Sequence, residues 1–313
     1  MSASAIYLWR GRSMIFARLA DLDWHQHHAA GICIALEPDA QLQFLSEANG
    51  EWRDFHAIRI PPRCGHAFRF GGQAAAFLFF DPGSIFYQKV FGELSQVEAW
   101  PEEQAADALQ AIRRLWHDTK GDPHVNHSHA NQPAANHADA IHPNASKSDA
   151  PSTLAGLAQE KRIADTLEQI PCSIQGDDIA TLYGDPRIQR VVQTILEWPE
   201  PDGAPDIESL AAVAGLSASR LAHLFQERVG LPVRALRTWF RLKTAAIHIR
   251  RGASLTEAGV AAGFYDQAHF TRTFRQMFGL PPSQIFPRAR STVRWHIEAE
   301  ELTLALGAGR QDL

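Results

Sequence analysis

A chain of 313 residues is long enough for two domains with separate cores, and 45% apolar side chains is an ordinary globular composition. No run of about 18 uncharged apolar residues is present to cross a bilayer, and the start MSASAIYLWRGRSMIF lacks the basic, apolar and small-residue succession of a secretory signal, so no membrane partner is expected. The net charge of −5 argues against a nucleic-acid partner only until its distribution is read: residues 206–290 hold 12 Lys or Arg against 5 Asp or Glu, residues 1–205 hold 16 against 26, and residues 291–313 hold 2 against 4. An acidic body with one basic module suits a polyanion-binding domain on a separate body, and a solvated basic face fits that composition equally well.

Along the chain, residues 14–81 read as short strands, MIFARL, GICIALE, AQLQFLS, FHAIRIP, HAFRFG and AAAFLFFD, separated by turn material such as Glu37-Pro38-Asp39, Asn49-Gly50 and Gly71-Gly72. Many short strands at near-regular spacing predict an antiparallel sandwich or small barrel. Residues 101–117 then place Ala105, Leu109, Ile112 and Leu115 or Trp116 at helical spacing. Residues 118–152 have almost no large apolar side chains and read as a disordered linker. The linker collects five of the 15 histidines, His124, His127, His129, His137 and His142, a composition that can also bind metal loosely. Residues 153–186 read as a helical connector whose apolar stripe, with that of 101–117, exceeds what a small barrel needs, which predicts a homodimer. The three cysteines, Cys33, Cys64 and Cys172, form no CxxC pair and suit a reducing compartment, so the cytoplasm is the expected location.

The most informative feature is an internal repeat in residues 206–290. DIESLAAVAGLSASRLAHLFQERVGLP is followed by SLTEAGVAAGFYDQAHFTRTFRQMFGLPP, each with a helix ending in Ala-Gly and an apolar residue (Ala214-Gly215-Leu216, Ala262-Gly263-Phe264). A second helix carrying Phe225 or Phe274 follows, then Gly-Leu-Pro. Gly215 and Gly263 sit where the first helix must turn, and Ser217 and Asp266 are placed to cap the second. Leu221, Leu224 and Phe225 in one copy, and Phe270 and Phe274 in the other, form the stripe that holds the second helix down. That is a helix-turn-helix unit, made twice. Between them VRALRTWFRLKTAAIHIRRG forms one long helix carrying Arg234, Arg237, Arg241, Lys243, Arg250 and Arg251, which fixes the separation of the two heads.

Residues 187–290, and above all RLKTAAIHIRRGASLTEAGVAAGFYDQAHFTRTFRQMFGLPPSQI, resemble the DNA-binding domain of the AraC/XylS family of regulators. The resemblance implies that Ser219, Arg220, Ala222 and His223 face bases in the first unit, and Gln267, Ala268, His269, Thr271 and Arg272 in the second. Small side chains at Ser219 and Ala222 leave the first head fewer direct contacts. Trp24-His25-Gln26-His27-His28 and Ile60-Pro61-Pro62-Arg63-Cys64-Gly65-His66 resemble the cupin-like sensor half of such regulators. This implies an effector site at His25, His27, His28, Arg59, Arg63 and His66. Structural histidines at a strand end are a second reading of the same residues. A metal site at His25, His27 and His66 is a third, although the Glu that enzymatic cupins place soon after the paired histidines is missing, the nearest being Glu37.

The expected fold is therefore α+β with two domains: a cupin-like antiparallel β-barrel over residues 1–100 and an all-α double helix-turn-helix domain over 187–290, with 291–313 as a tail. The expected function is a sequence-specific transcriptional regulator, an activator, controlled by a small-molecule effector and working with double-stranded DNA and RNA polymerase. No catalytic residue, cofactor or resident metal is expected. A metal-dependent enzyme fused to a DNA-binding module, and a dimeric regulator without effector, are the alternatives.

Overall fold

The computed structural model describes residues 2–9, 11–48, 50–82, 91, 94–120, 184–197, 205–286 and 293–297. The expected helix over 153–170 and all but the first three residues of the expected linker lie outside them.

Among the described residues ten strands lie amino-terminal to the helix Glu102–Lys120: β1 Ser2–Trp9, β2 Arg12–Arg18, β3 Leu22–His25, β4 Ala30–Ala35, β5 Leu42–Ser46, β6 Arg53–Phe55, β7 Ala57–Ile60, β8 His66–Arg69, β9 Ala74–Phe80 and β10 Glu98–Ala99. They form two sheets, one ordered β10-β7-β4-β9-β2-β1 and the other β3-β8-β5-β6, antiparallel throughout. The expected run FHAIRIP is two strands, β6 and β7, on different sheets. An eleventh strand, β11 Arg294–Ile297, comes from the carboxyl end and pairs parallel with β1. The segment expected as a tail thus closes one edge of the larger sheet.

β9, AAAFLFF, is buried at every residue, because both faces of the larger sheet are covered. With a side-chain period of two, Ala75, Phe77 and Phe79 face the inner core with Phe44, Phe55 and Phe68 of the smaller sheet, while Ala74, Ala76, Leu78 and Phe80 face the other way. That outer face is covered by α1 Glu102–Lys120, through Ala105, Ala108, Leu109, Ile112, Leu115 and Trp116. The stripe expected to pair two copies is therefore consumed within the chain.

The remaining helices are α2 Pro186–Glu197, α3 Ile207–Ala214, α4 Ala218–Val229, α5 Val233–Arg250, α6 Leu255–Ala261, α7 Gln267–Phe278 and α8 Pro282–Ile285. α2, α3, α4 and the first half of α5 enclose a core of Ile188, Val191, Val192, Leu210, Leu221, Leu224, Phe225, Val229 and Leu236. α6, α7 and the second half of α5 have no such separate core. Trp239, Leu242, Phe270, Phe274, Met277 and Leu280 are continuous with the apolar layer between the sheets. Gly259 permits the close packing of α6 on α7, since a Cβ there would lie 3.1 Å from the Cβ of Phe270. No helix among the described residues is long and apolar enough to cross a membrane.

Candidate nucleic-acid interface and the seam behind it

Each helix-turn-helix unit is built by local chemistry. α3 is capped by Asp206, whose carboxylate accepts from the Ser209 N–H at 2.7 Å, and it ends at Gly215 with φ 66°. α4 is capped by Ser217, which accepts from the Arg220 N–H, and ends at Gly230 with φ 78°. In the second unit Ser254 and Glu257 form a reciprocal capping box on α6, and Gly263 turns the chain with φ 81°. Asp266 accepts from the His269 N–H at 2.6 Å to start α7, which ends at Gly279 with φ 73°. Such left-handed turns favour glycine, because a Cβ there crowds the following carbonyl. Ser217, Asp266, Gly215 and Gly263 thus hold the positions expected from sequence.

The second helices of the two units, α4 and α7, bury their apolar stripes and leave their polar faces open. Leu221 and Phe225 are fully buried, as is Phe270, and each contributes roughly 1.5–3 kcal/mol by leaving water. Ser219, Arg220, Ala222 and His223 are all exposed on α4. On α7, Gln267, Ala268 and Arg272 are exposed, and His269 and Thr271 half-buried. Gln267 is not loose, since its side-chain oxygen accepts from the Thr256 hydroxyl at 2.6 Å. Tyr265, in the turn before α7, is 90% exposed and was not singled out by the sequence reading, although an aromatic next to the Asp266 cap was visible there. α5 joins the two units; its 18 residues span about 27 Å at 1.5 Å per residue, against the roughly 34 Å of one duplex turn.

The six residues expected to line an effector site do not form one group. His25 at the end of β3 pairs across the strands with His66 at the start of β8, and His27 joins them: ring centroids are 4.3 Å apart for His25 and His66, 4.6 Å for His27 and His66 and 5.1 Å for His25 and His27. All three are buried. Burial pushes the His25 imidazole down to about 4. Burial, then the neighbouring imidazoles, holds His27 and His66 well below the ordinary histidine value. His28 points elsewhere, its Nδ1 lying 3.0 Å from the Ala235 carbonyl oxygen of α5. Arg59 is ion-paired with Glu98 of β10. Arg63 adopts φ 64°, and its N–H donates to the His27 carbonyl at 2.8 Å.

Between the two domains lies a seam that the sequence reading did not anticipate. The Asp81 carboxylate, just after β9, accepts from the Trp239 indole N–H at 2.7 Å and lies 3.1 Å from the Lys243 ammonium, with the Lys243 and Asp81 side chains 6% and 4% exposed. Lys243, expected among the basic residues of the long helix, is thus turned inward. A signal was present: Trp239 and Lys243 are four residues apart on one helical face, beside the apolar Leu242 and Ala246. At the far end of α7, Asp23 N–H donates to Gly279 O and Gln26 N–H to Gln276 O, each at 3.3 Å, and the His28 N–H lies 3.1 Å from Met277 Sδ. The Arg275 guanidinium reaches Asp23 at 2.5 Å.

These features define a carboxy-terminal domain with two helix-turn-helix units, docked on a two-sheet β domain by the end of α7. Residues 210–288 match a family model described as a helix-turn-helix domain. Among curated proteins, the transcriptional regulator MtrA of Neisseria gonorrhoeae is 27% identical over 103 residues, 33% of this chain and 34% of that protein. The arabinose operon regulatory protein of Escherichia coli K12 is 33% identical over 101 residues, 32% of this chain and 34% of that one. The chain thus spans about a third of the length of the curated relatives it matches. An apo variant of ToxT from Vibrio cholerae superposes over 88% of this chain and 97% of its own, with a TM-score of 0.49 and 7% identity. Over residues 210–288 the carboxy-terminal part of the chain is thus a helix-turn-helix domain, similar in sequence to the corresponding third of regulators such as MtrA and the arabinose operon regulatory protein.

Proposed function

We propose that the chain is a one-component transcriptional regulator in which α4 and α7 enter successive major grooves of a duplex. Ser219, Arg220, Ala222 and His223 face bases from the first helix, and Gln267, Ala268, His269, Thr271 and Arg272 from the second. The observation that carries this reading is the matched pair: two capped helices at either end of α5, each with its apolar stripe buried and a polar face open to solvent. The excess of basic over acidic residues across 206–290 supplies the charge for phosphate contact. The β domain controls the second head, because its 23–28 segment holds the carboxyl end of α7. A small-molecule effector acts by binding the docked and undocked arrangements with different affinity, since equal affinity would move nothing. Activation through RNA polymerase, and assembly as a homodimer, belong to the same reading.

The test is equilibrium binding of the full chain to duplexes enriched from a random pool, followed by titration against salt. A preferred sequence should emerge, and log affinity should fall linearly with log salt. Absence of salt-sensitive attachment to any duplex would overturn the reading. Effector control is tested by thermal shift against a metabolite panel, where a ligand of the folded state must raise the midpoint.

A further inference from the structure

His25, His27 and His66 meet inside the β domain with one ring nitrogen from each within 4.8 Å of the others. Two of the rings have their tautomer set by the backbone. His25 Nδ1 lies 2.7 Å from the Asp23 carbonyl oxygen and His66 Nδ1 2.8 Å from that of Cys64, so in each the Nδ1–H donates and Nε2 carries a lone pair. Among the described residues neither Nε2 atom has a hydrogen-bond partner, nor has Nδ1 of His27, and all three are buried. The described surroundings are aromatic: Phe68 packs edge-on to His66 and Phe79 edge-on to His27, and the Phe278 ring from the last turn of α7 lies 6.4 Å from that of His27. Buried acceptors in an apolar setting are costly unless something electron-poor sits among them. A carbonyl that orients a ring through one nitrogen while the other stays free is also how histidines are held around a metal ion.

We propose that His25, His27 and His66 form a binding site for one divalent transition-metal ion of the zinc type, its remaining coordination position left to water or a small donor ligand. Nitrogen-only ligation selects against magnesium and calcium, which take oxygen. In a tetrahedral zinc site the ligand nitrogens stand about 3.3 Å apart, given bonds of about 2.0–2.1 Å, so the three rings need close in only modestly.

The site also has a mechanical consequence, and this part alone rests on the regulator reading. The ligands His25 and His27 alternate with Asp23, Gln26 and His28, whose backbone N–H groups contact Gly279, Gln276 and Met277. Drawing the rings together repositions the segment that holds α7, so metal and DNA affinity are linked reciprocally.

The experiment uses full-length protein stripped with a chelator and titrated with Zn²⁺, and with Co²⁺ for its coordination spectrum. A companion variant has His124, His127, His129, His137 and His142 replaced by Asn. Both proteins should take up one tightly held ion per chain with the spectrum of four-coordinate, nitrogen-bound Co²⁺. His66→Gln and His27→Gln should each weaken uptake at least about a hundredfold, since loss of an outer-shell partner alone costs about 10–100-fold. If neither wild type nor companion takes up a tight ion, or uptake disappears with the five Asn substitutions, the site is overturned, whether or not the Gln variants fold. On a duplex bound by the stripped protein, zinc should change affinity at least about threefold, which is smaller than the usual range of allosteric coupling. Unchanged affinity overturns the link to DNA, and failure of both forms to bind any duplex counts against the regulator reading while the metal result stands by itself.

Discussion

The two helix-turn-helix units share one local plan and have different neighbours. In both, an acidic or hydroxyl side chain caps each helix, and a glycine with positive φ ends the reading helix, Gly230 in one and Gly279 in the other. At Gly230 an added Cβ would meet nothing within 4 Å. At Gly279 it would lie 2.6 Å from His25 Nδ1 and 2.8 Å from the Asp23 carbonyl oxygen. The first head packs in a core of its own, whereas the second is continuous with the core between the sheets. A duplicated sequence therefore fixes helix, turn and helix twice, but which head the β domain can hold is decided by what lies beyond the final turn.

If the second head is held as described, the largest effect comes from Asp81. Its replacement by Ala removes a buried carboxylate that the Lys243 ammonium and the Trp239 indole N–H both use, and breaking a buried pair from one side costs about 3–5 kcal/mol. Urea unfolding should register that loss, and adding Lys243→Met should restore most of it, because the buried charge that lost its carboxylate is then gone too. A cost below about 1 kcal/mol for Asp81→Ala would mean that the two domains are not docked this way in solution.

Next in size is the matched pair of glycines. Gly230→Ala should cost only left-handed strain, about 1–2 kcal/mol. Gly279→Ala adds a steric clash with His25 and Asp23, and overpacking of that kind is worth a further 1–3 kcal/mol, or about 2–5 kcal/mol together with the strain. Thermal or urea midpoints for the two variants measure the difference directly, and equal losses would erase the contrast between the heads.

The DNA-facing side sharpens the same contrast. Arg272 is exposed on α7, and Arg272→Ala should weaken binding to the preferred duplex by about 1–3 kcal/mol and relax the preference at one base pair. Ser219→Ala and Ala222→Ser on the first head should change affinity much less, since short side chains reach few base edges. An equal loss for Arg272→Ala on preferred and random duplexes would reduce that side chain to a phosphate contact.

Much of this was legible in the chain because it is local. Caps, left-handed glycines and apolar spacing all act within about a turn of the residues that encode them, so Ser217, Asp266, Gly215 and Gly263 were placed in advance. The runs GICIALE and AAAFLFFD were readable as strands for the same reason. Long-range pairing was not. Asp81 and Lys243 are 162 positions apart, and although the helical face shared with Trp239 and Ala246 marks Lys243 as inward, nothing local names Asp81 as its partner. The return of residues 294–297 to β1 joins the two ends of the chain through backbone hydrogen bonds, which are indifferent to side-chain type. The histidines fall between these cases: the spacing of His25, His27 and His66 flagged a site, yet the phenyl ring of Phe278 beside it belongs to another domain and follows from no local pattern.

The smallest expected effect concerns equivalent positions after the phenylalanines shared by the two repeats, Gln226 behind Phe225 and Arg275 behind Phe274. Gln226 turns back on its own helix and donates to the Gly230 carbonyl at 2.8 Å. Arg275 instead reaches across the seam to Asp23, with both side chains more than 60% exposed. Arg275→Gln makes the second unit resemble the first at this position and removes the cross-domain ion pair. Exposed pairs are worth about 0.2–1 kcal/mol, so the stability loss should lie in that range at low salt. The gap between wild type and variant should close as ionic strength rises toward 1 M, where the screening length falls to about 3 Å. A gap that persists undiminished in high salt would mean that Arg275 acts through the packing of its aliphatic stem on the seam rather than through its charge.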